Sequence, residues 1–165
     1  MEWEELQRKC EECHACPLGD TRTKCVFGTG NRNADVLFVG EAPGEQEDAT
    51  GIPFVGAAGK LLDRYLFAVD LPRDRVYIAN ILKCRPPRNR DPEESEQEAC
   101  IGYLREQVRL IRPRIIVCLG RISAMRLIKP DFKITQEHGK FFRKNDYTMC
   151  AVFHPAALLR DPGKK

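Results

Sequence analysis

The feature that most constrains the fold of this chain is an alternation of short apolar runs with longer segments of helical spacing. Four runs rich in β-branched or apolar residues predict strands at 34–40, 75–84, 114–120 and 147–155. Helical spacing occupies 56–70 and 91–111, and a shorter helix pattern at 121–128 follows the third run. Strands and helices that alternate in this way predict an α/β fold, with a largely parallel sheet covered on both faces.

The longest helix pattern carries start signals at its amino end. Asp91 is expected to cap this helix, Pro92 suits its first turn, and acidic residues follow early.

Length and composition fit one domain over residues 1–165. A chain of 165 residues, 42% of them hydrophobic, is expected to bury roughly two thirds of its unfolded surface. The net charge of +3 does not by itself indicate a nucleic-acid ligand. No apolar run approaches the roughly 18 residues of a membrane span, and residues 1–13 are acidic and amphipathic, unlike a secretory signal. We therefore expect a cytoplasmic protein with no membrane partner.

A glycine-rich segment, "GEAPGEQED" at 40–48, follows the first predicted strand. It resembles a phosphate-binding turn, but its four carboxylates would repel a phosphate. The later "GKL" at 59–61 lacks the Ser or Thr that follows the lysine of a nucleotide-binding P-loop. The ligand of this segment is therefore expected to be something other than a phosphate.

Polar side chains lie at the ends of three predicted strands. Glu41 follows the first strand, Asn80 lies near the end of the second, His154 ends the fourth, and Phe54 is close in sequence to the first. Ligands of open α/β sheets bind beyond the carboxyl ends of the strands, so these residues predict one site. Taken singly, each has a structural alternative: a strand-to-helix turn, a buried amide, a core phenylalanine and a structural histidine.

The eight cysteines divide by context, and in a reducing cytosol they favour metal ligation or core packing over disulfides. Cys118 and Cys150 lie inside apolar strands and are expected in the core. The remaining candidates for thiolate ligands of zinc or an iron–sulfur cluster are Cys10, Cys13, Cys16, Cys84 and Cys100. The roles of Cys10 and Cys25 stay open: Cys10 could replace Cys13 in one register, and Cys25 could be buried beside "VFG".

Five motifs in order resemble those of a family 4 uracil-DNA glycosylase: "GEAPGEQED", "TGIPFVGAAGKLL", "YIANILKCRPPRNRDP", "IIVCLG" and "FHPAALLR". The resemblance spans about residues 10–160. It implies a three-layer α/β/α sandwich around a four-stranded parallel sheet. It also implies an enzyme that flips uracil out of single- or double-stranded DNA, hydrolyses its N-glycosidic bond and acts as a monomer. The family's 4Fe-4S cluster would be held by Cys13, Cys16, Cys84 and Cys100.

The resemblance also implies roles around a flipped uracil. Phe54 would stack on the ring, Asn80 would pair with its O4 and N3–H, and His154 would hydrogen-bond O2 as negative charge develops there. The backbone of Gly40, Glu41 and Ala42 would close the pocket.

The residue that acts on water is left open between two carboxylates. Ala42 stands where the best-known uracil glycosylases carry an aspartate that orients the attacking water. Glu41 and Glu47 are therefore the candidates, with Glu47 slightly favoured for water or sugar stabilisation and Glu41 for shaping the pocket.

Two segments are expected to contact DNA. The basic residues of "KCRPPRNR" would follow the phosphate backbone: Lys83, Arg85, Arg88 and Arg90. A solvated loop is an equally good interpretation of their composition. In "HPAALLR", the leucine pair that begins with Leu158 would wedge into the duplex and Arg160 would contact phosphate.

Two alternative functions remain. One is a uracil-DNA binding or crosslinking relative without turnover, although "QEHGKFFRKNDY" shows no arginine-rich insertion. The other is a non-catalytic iron–sulfur or zinc interaction module, which the intact set of Phe54, Asn80 and His154 disfavours.

Overall fold

A computed structural model describes residues 1–164 and shows a mixed six-stranded sheet with the strand order β1-β3-β2-β4-β6-β5. The strands are β1 Thr29–Gly30, β2 Val36–Gly40, β3 Tyr77–Asn80, β4 Ile115–Leu119, β5 Phe142–Lys144 and β6 Tyr147–Val152.

The four inner strands are parallel, as the sequence predicts. Phe38 of β2 lies opposite Ile78 of β3 on one side and Val117 of β4 on the other, and Val117 lies opposite Cys150 of β6. The antiparallel edge strands β1 and β5 were not predicted. They have two and three residues, too few to show a period-two pattern.

The α-helices are α1 Trp3–Glu11, α2 Leu18–Thr21, α3 Glu45–Thr50, α4 Ala57–Ala68, α5 Glu94–Ile111, α6 Arg121–Leu127, α7 Ile134–Glu137 and α8 Pro155–Arg160. Helix α5 begins later than its sequence suggests. Glu93 is its N-cap residue, and the Glu96 side chain accepts a hydrogen bond from the Glu93 backbone N–H. The prediction that Asp91 caps this helix is therefore wrong, and the Asp91 carboxylate is available for other contacts.

Apolar side chains cover both faces of the sheet. Leu37 and Val39 of β2 pack on the face that carries α1 and α5, through Leu6 and Leu104. Phe38, between them in the strand, packs on the opposite face. Leu62 and Leu66 of α4 belong to that second cluster. Because alternate residues of a strand point to opposite faces, both layers are needed to bury β2, which confirms the α/β/α arrangement.

Cys118 and Cys150 lie in the core, as predicted for thiols within apolar strands. Across residues 1–164, none of the helices combines the length and apolar character needed to cross a membrane.

Candidate active site

A cavity of about 570 Å³ opens at the carboxyl end of the parallel strands. Gly40 and Asn80 are the last residues of β2 and β3, and His154 follows the end of β6. The structure brings together most of the predicted site residues, since the cavity is lined by Glu41, Ala42, Glu47, Phe54, Asn80, His154 and Arg160.

Gly40 allows the recognition residues to approach each other. A Cβ atom added at Gly40 would lie 2.5 Å from Asn80 Oδ1 and 2.6 Å from Cζ of Phe54. Both separations are shorter than side chains tolerate, so only glycine leaves this space free.

The Asn80 side chain holds an unsatisfied acceptor. Asn80 is only 2% exposed, and its Oδ1 is buried without a hydrogen-bond partner among the described residues. Burying such an oxygen without a donor costs on the order of 1 to 3 kcal/mol. A ligand that donates a hydrogen bond to this oxygen would recover that free energy.

Phe54 is held in an unusual backbone conformation. Its φ of +54° lies in the left-handed region, which a residue with a bulky side chain rarely adopts. Arg73 donates hydrogen bonds to the carbonyl oxygens of Pro53 and Phe54, and Gly59 lets the Phe54 carbonyl approach helix α4 closely. The ring packs with the core and also lines the cavity, 5.5 Å from the His154 ring. Phe54 is therefore both a core residue and a residue that can contact a ligand in the cavity.

His154 is arranged as a neutral donor. Its Nδ1 accepts a hydrogen bond of 3.0 Å from the backbone N–H of Ala156 at the start of α8. Burial, reinforced by the nearby charge of Arg160, lowers the pKa of the imidazole to about 4. Because Nδ1 is the acceptor, the proton of the neutral ring is on Nε2, which can donate to a ligand.

The Glu47 side chain accepts hydrogen bonds from the backbone of two loops. Its Oε1 accepts from the backbone N–H of Gly44 at 2.9 Å, and its Oε2 accepts from those of Val55 and Gly56 at 3.0 Å. Its carboxylate therefore joins the segment after β2 to the segment that carries Phe54.

Glu41 has a different environment. Burial, together with the negative charge of nearby Asp91, raises the pKa of its carboxyl to about 7, and the positive charge of Arg121 opposes this shift. Arg121 Nη2 pairs with Asp91 Oδ2 at 2.6 Å. Both Asp91 and Arg121 line the cavity, and sequence reasoning missed them because they lie about 50 and 80 residues beyond Glu41. No local pattern marks such neighbours.

Two residues expected to contact DNA are buried. Lys83 is 1% exposed, and its Nζ donates to the Phe27 carbonyl and to Gln107 Oε1. Leu158 is 7% exposed and faces the core, whereas the adjacent Leu159 is 39% exposed. The assignments of Lys83 and Leu158 to a DNA surface are therefore wrong. Lys83 lies in the segment after β3 and Leu158 lies on the inward face of α8, so the local backbone directs both side chains into the protein.

The other basic residues remain accessible near the cavity. Arg88 is exposed in a short 3-10 turn, and Arg85 Nε donates to Asn89 Oδ1 at 2.8 Å. Arg160 is exposed at the end of α8 and lines the cavity.

The four cysteines expected to bind the cluster line a second, small cavity between the amino-terminal segment and α5, and Cys10 lines it too. Three N–H groups point at the sulfurs: Arg22 Nη1 to Cys84 at 3.1 Å, the Lys83 backbone to Cys100 at 3.3 Å, and the Ala15 backbone to Cys13 at 3.4 Å. Burial raises the pKa of Cys84, and that of Cys100 to about 12.

The donor set fits a metal centre. N–H donors to sulfur stabilise thiolates, and a buried thiol releases its proton readily only when a cation binds the sulfur. Within residues 1–164, no group of three or more Cys, His, Asp or Glu side chains is already arranged around a single metal ion.

The fold and the first cavity define an α/β protein with an open pocket at the carboxyl end of its parallel strands. The family model of the uracil DNA glycosylase superfamily matches residues 27–165. The chain is 46% identical over 167 residues to the type-4 uracil-DNA glycosylase of Archaeoglobus fulgidus, an alignment that covers 96% of this chain and 84% of that protein.

Two further relatives carry the same name. The type-4 uracil-DNA glycosylase of Saccharolobus solfataricus is 47% identical over 160 residues, with 92% of this chain and 74% of that protein covered. The one of Thermotoga maritima is 41% identical over 158 residues, with 94% and 82% covered. This chain therefore belongs to the type-4 family of the uracil-DNA glycosylase superfamily, and the resemblance of its motifs is confirmed.

Proposed function

We propose that this chain removes uracil from DNA by hydrolysing the N-glycosidic bond between the base and its deoxyribose, leaving an abasic site. The observation that carries the proposal is the buried acceptor of Asn80, left without a partner beside the Phe54 ring. A base inside a duplex cannot reach this pocket, so the nucleotide must rotate out of the stack before it binds.

Asn80 would read the edge of the base. Its Oδ1 can accept from uracil N3–H while its amide NH₂ donates to O4. Cytosine presents the reverse pattern, an amino donor and a bare N3, so it would leave the buried oxygen unsatisfied. Phe54 supports the ring from one side by stacking.

His154 would stabilise the departing base. As the glycosidic bond breaks, its electron pair moves onto the uracil ring, and negative charge develops at O2. The Nε2–H of a neutral, fixed imidazole can donate to that oxygen without reorganisation. The depressed pKa keeps the ring neutral at physiological pH, so that Nδ1 can continue to accept from the Ala156 N–H.

Glu41 is the better candidate for contact with the attacking water, which reverses the sequence-based preference for Glu47. The Glu47 oxygens already accept three backbone N–H groups, and they fix the loop around Phe54. Glu41 shares the cavity with Asp91 and Arg121 and has a pKa near neutrality. Its carboxylate can accept a hydrogen bond from water and stabilise positive charge on the sugar.

A 4Fe-4S cluster would be held by Cys13, Cys16, Cys84 and Cys100. When bound, it would crosslink the amino-terminal segment to the loop after β3 and would supply no electron, because hydrolysis needs none. Arg22, through its contact with the Cys84 sulfur, would stabilise the negative charge of the thiolates.

The DNA surface is proposed to comprise Arg85, Arg88 and Arg160, with Leu159 in place of Leu158 as the apolar side chain available to enter a vacated base position. Monomeric action and a cytoplasmic location remain predictions.

The test is incubation of purified, iron-loaded protein with an oligonucleotide that carries one uracil. We expect free uracil and a strand that alkali cleaves at the abasic site. Gly40→Ala should abolish excision by filling the pocket, whereas Gly102→Ala, a position in α5 where an added Cβ contacts nothing within 4 Å, should not. A covalent adduct without turnover would indicate the crosslinking alternative, and unaltered DNA would refute the proposal.

A further inference from the structure

Two cysteines outside the proposed cluster ligands lie in contact. Cys10 is on α1 and is only 1% exposed, and Cys25 lies half-buried between α2 and β1. Their Sγ atoms are 3.4 Å apart, and both thiols are free. The contact joins two segments that the excision chemistry does not use.

We propose that Cys10 and Cys25 form a site of reversible disulfide formation. Sulfur atoms already in contact need only a small side-chain rotation to reach the S–S bond length of about 2.05 Å. The bond would close a loop over residues 11–24, which contains Cys13 and Cys16.

The co-reactant is a low-molecular-weight disulfide such as glutathione disulfide. Cys25, the more accessible thiol, loses a proton and attacks one sulfur of the glutathione disulfide, which releases one glutathione thiolate and leaves a mixed disulfide. The Cys10 thiolate then attacks the Cys25 sulfur and releases the second glutathione. Two protein thiols are oxidised, one glutathione disulfide is reduced to two glutathione molecules, and the two protons end on the released thiols.

The bond would also decide which cysteines are available to a metal. Cys10 lines the same small cavity as the four proposed ligands and has the same spacing to Cys13 as Cys13 has to Cys16. A disulfide with Cys25 would prevent Cys10 from binding the metal in place of Cys13. It would also hold together the ends of the loop that carries Cys13 and Cys16. Disulfide formation does not depend on uracil excision, which is measured separately.

The experiment uses the full, iron-loaded chain equilibrated with glutathione mixtures of increasing disulfide fraction, quenched in acid, alkylated and analysed by intact mass. We expect two thiols to be lost together, with iron content unchanged, and recovered on reduction. Trypsin should then give peptide 10–22 linked to peptide 25–32.

Because peptide 10–22 carries three cysteines, Cys10→Ser and Cys25→Ser identify the partners. Each variant should lose the linked peptides. Linked peptides that persist in Cys10→Ser would overturn the proposal, as would full alkylation of both cysteines in the wild-type chain at every glutathione ratio. Oxidation that instead joins the cluster cysteines and releases iron would overturn it too. If a variant fails to fold, fragment-ion sequencing of the linked wild-type peptides identifies the bonded cysteine, and a bond through Cys13 or Cys16 would overturn the proposal.

Discussion

Asn80 is the residue at which base recognition can be tested most directly, because Asn80→Asp replaces the amide donor with a second oxygen. An oxygen facing uracil O4 should cost about 1 to 3 kcal/mol of transition-state binding, or roughly 5- to 150-fold in excision rate. If the carboxyl binds protonated in the closed pocket, a weak cytosine-excising activity should appear. Single-turnover rates on matched uracil and cytosine oligonucleotides measure both.

Asn145→Asp is the matched control, because Asn145 is exposed on the β5–β6 hairpin. Iron content and Tm should match the wild type in both variants. A wild-type rate of uracil excision by Asn80→Asp would show that Asn80 does not read the base.

The Glu41 carboxyl should determine the pH dependence of the chemical step. Its pKa is raised to about 7, so the carboxyl is protonated below that pH and ionised above it. If the ionised form acts on water, the single-turnover rate should rise as pH increases through about 7. Asp91→Asn removes the charge that helps to raise this pKa, so the midpoint should move to lower pH.

The control for this profile is Glu41→Gln, which cannot ionise and should lose the dependence near pH 7 together with most of the rate. A profile in Glu41→Gln that keeps the wild-type midpoint would assign the titration to another group. The imidazole of His154 has a pKa of about 4, so it should affect only the acid extreme.

The sequence predicted correctly where several single residues lie, and the two wrong predictions share one cause. Glu41, Asn80 and His154 follow strand ends, and parallel topology brings those ends to one edge. The predictions for Lys83 and Leu158 were wrong because they relied on residue type, which suggests exposure or contact. The direction of a side chain depends instead on the register of the surrounding backbone. In α8, for example, Leu158 is buried while the next residue, Leu159, is exposed.

At the scale of elements, the loop after β2 depends on Glu47. Glu47→Ala would leave the N–H groups of Gly44, Val55 and Gly56 without their acceptor and should destabilise the chain by about 2 kcal/mol or more. Denaturant unfolding measures the loss. Excision should fall as well, because Phe54 loses its support.

Glu47→Gln separates structure from chemistry, since it keeps an acceptor of the same length. We expect it to recover part of both stability and rate. A fully stable Glu47→Gln that has lost the chemical step would restore Glu47 as the residue that acts on water.

The short turn that carries Arg88 provides the prediction for DNA binding. Arg88→Ala should weaken binding to all sequences alike and reduce the slope of log affinity against log salt by up to about one unit. Fluorescence anisotropy over a range of salt concentrations measures this slope. Arg114→Ala is the control, because Arg114 is exposed just before β4, at the opposite end of the sheet. Equal slopes for the two variants would make the Arg88 turn a solvated loop.

The elements missed by sequence reasoning are short or polar. Helices α2 and α7 have four residues each, and β1 has two. Segments of this length are formed because neighbouring parts of the chain supply their hydrogen bonds and apolar contacts, and they carry no period of their own.

For the whole molecule, the cysteine substitutions test the cluster. Cys100→Ala should lose iron, visible absorbance and soluble protein together, because the cluster would join the amino-terminal segment to the body of the fold. Cys118→Ala is the matched control. Cys118 is fully buried in β4, so its truncation should cost about 1 to 2 kcal/mol of packing and leave iron content unchanged. Colourless wild-type protein with one zinc ion would overturn the cluster assignment.

The sequence by itself determined the class of fold, the motif order of the family and the edge of the sheet that holds the site. These follow from local periodicity and from the rule that parallel strands end at one edge. Only the tertiary structure decided that Glu47 is bound by backbone N–H groups, that Asp91 and Arg121 surround Glu41, and that Cys10 meets Cys25. Hydrogen bonds and charge interactions act over a few ångströms in space, whatever the separation of the residues along the chain.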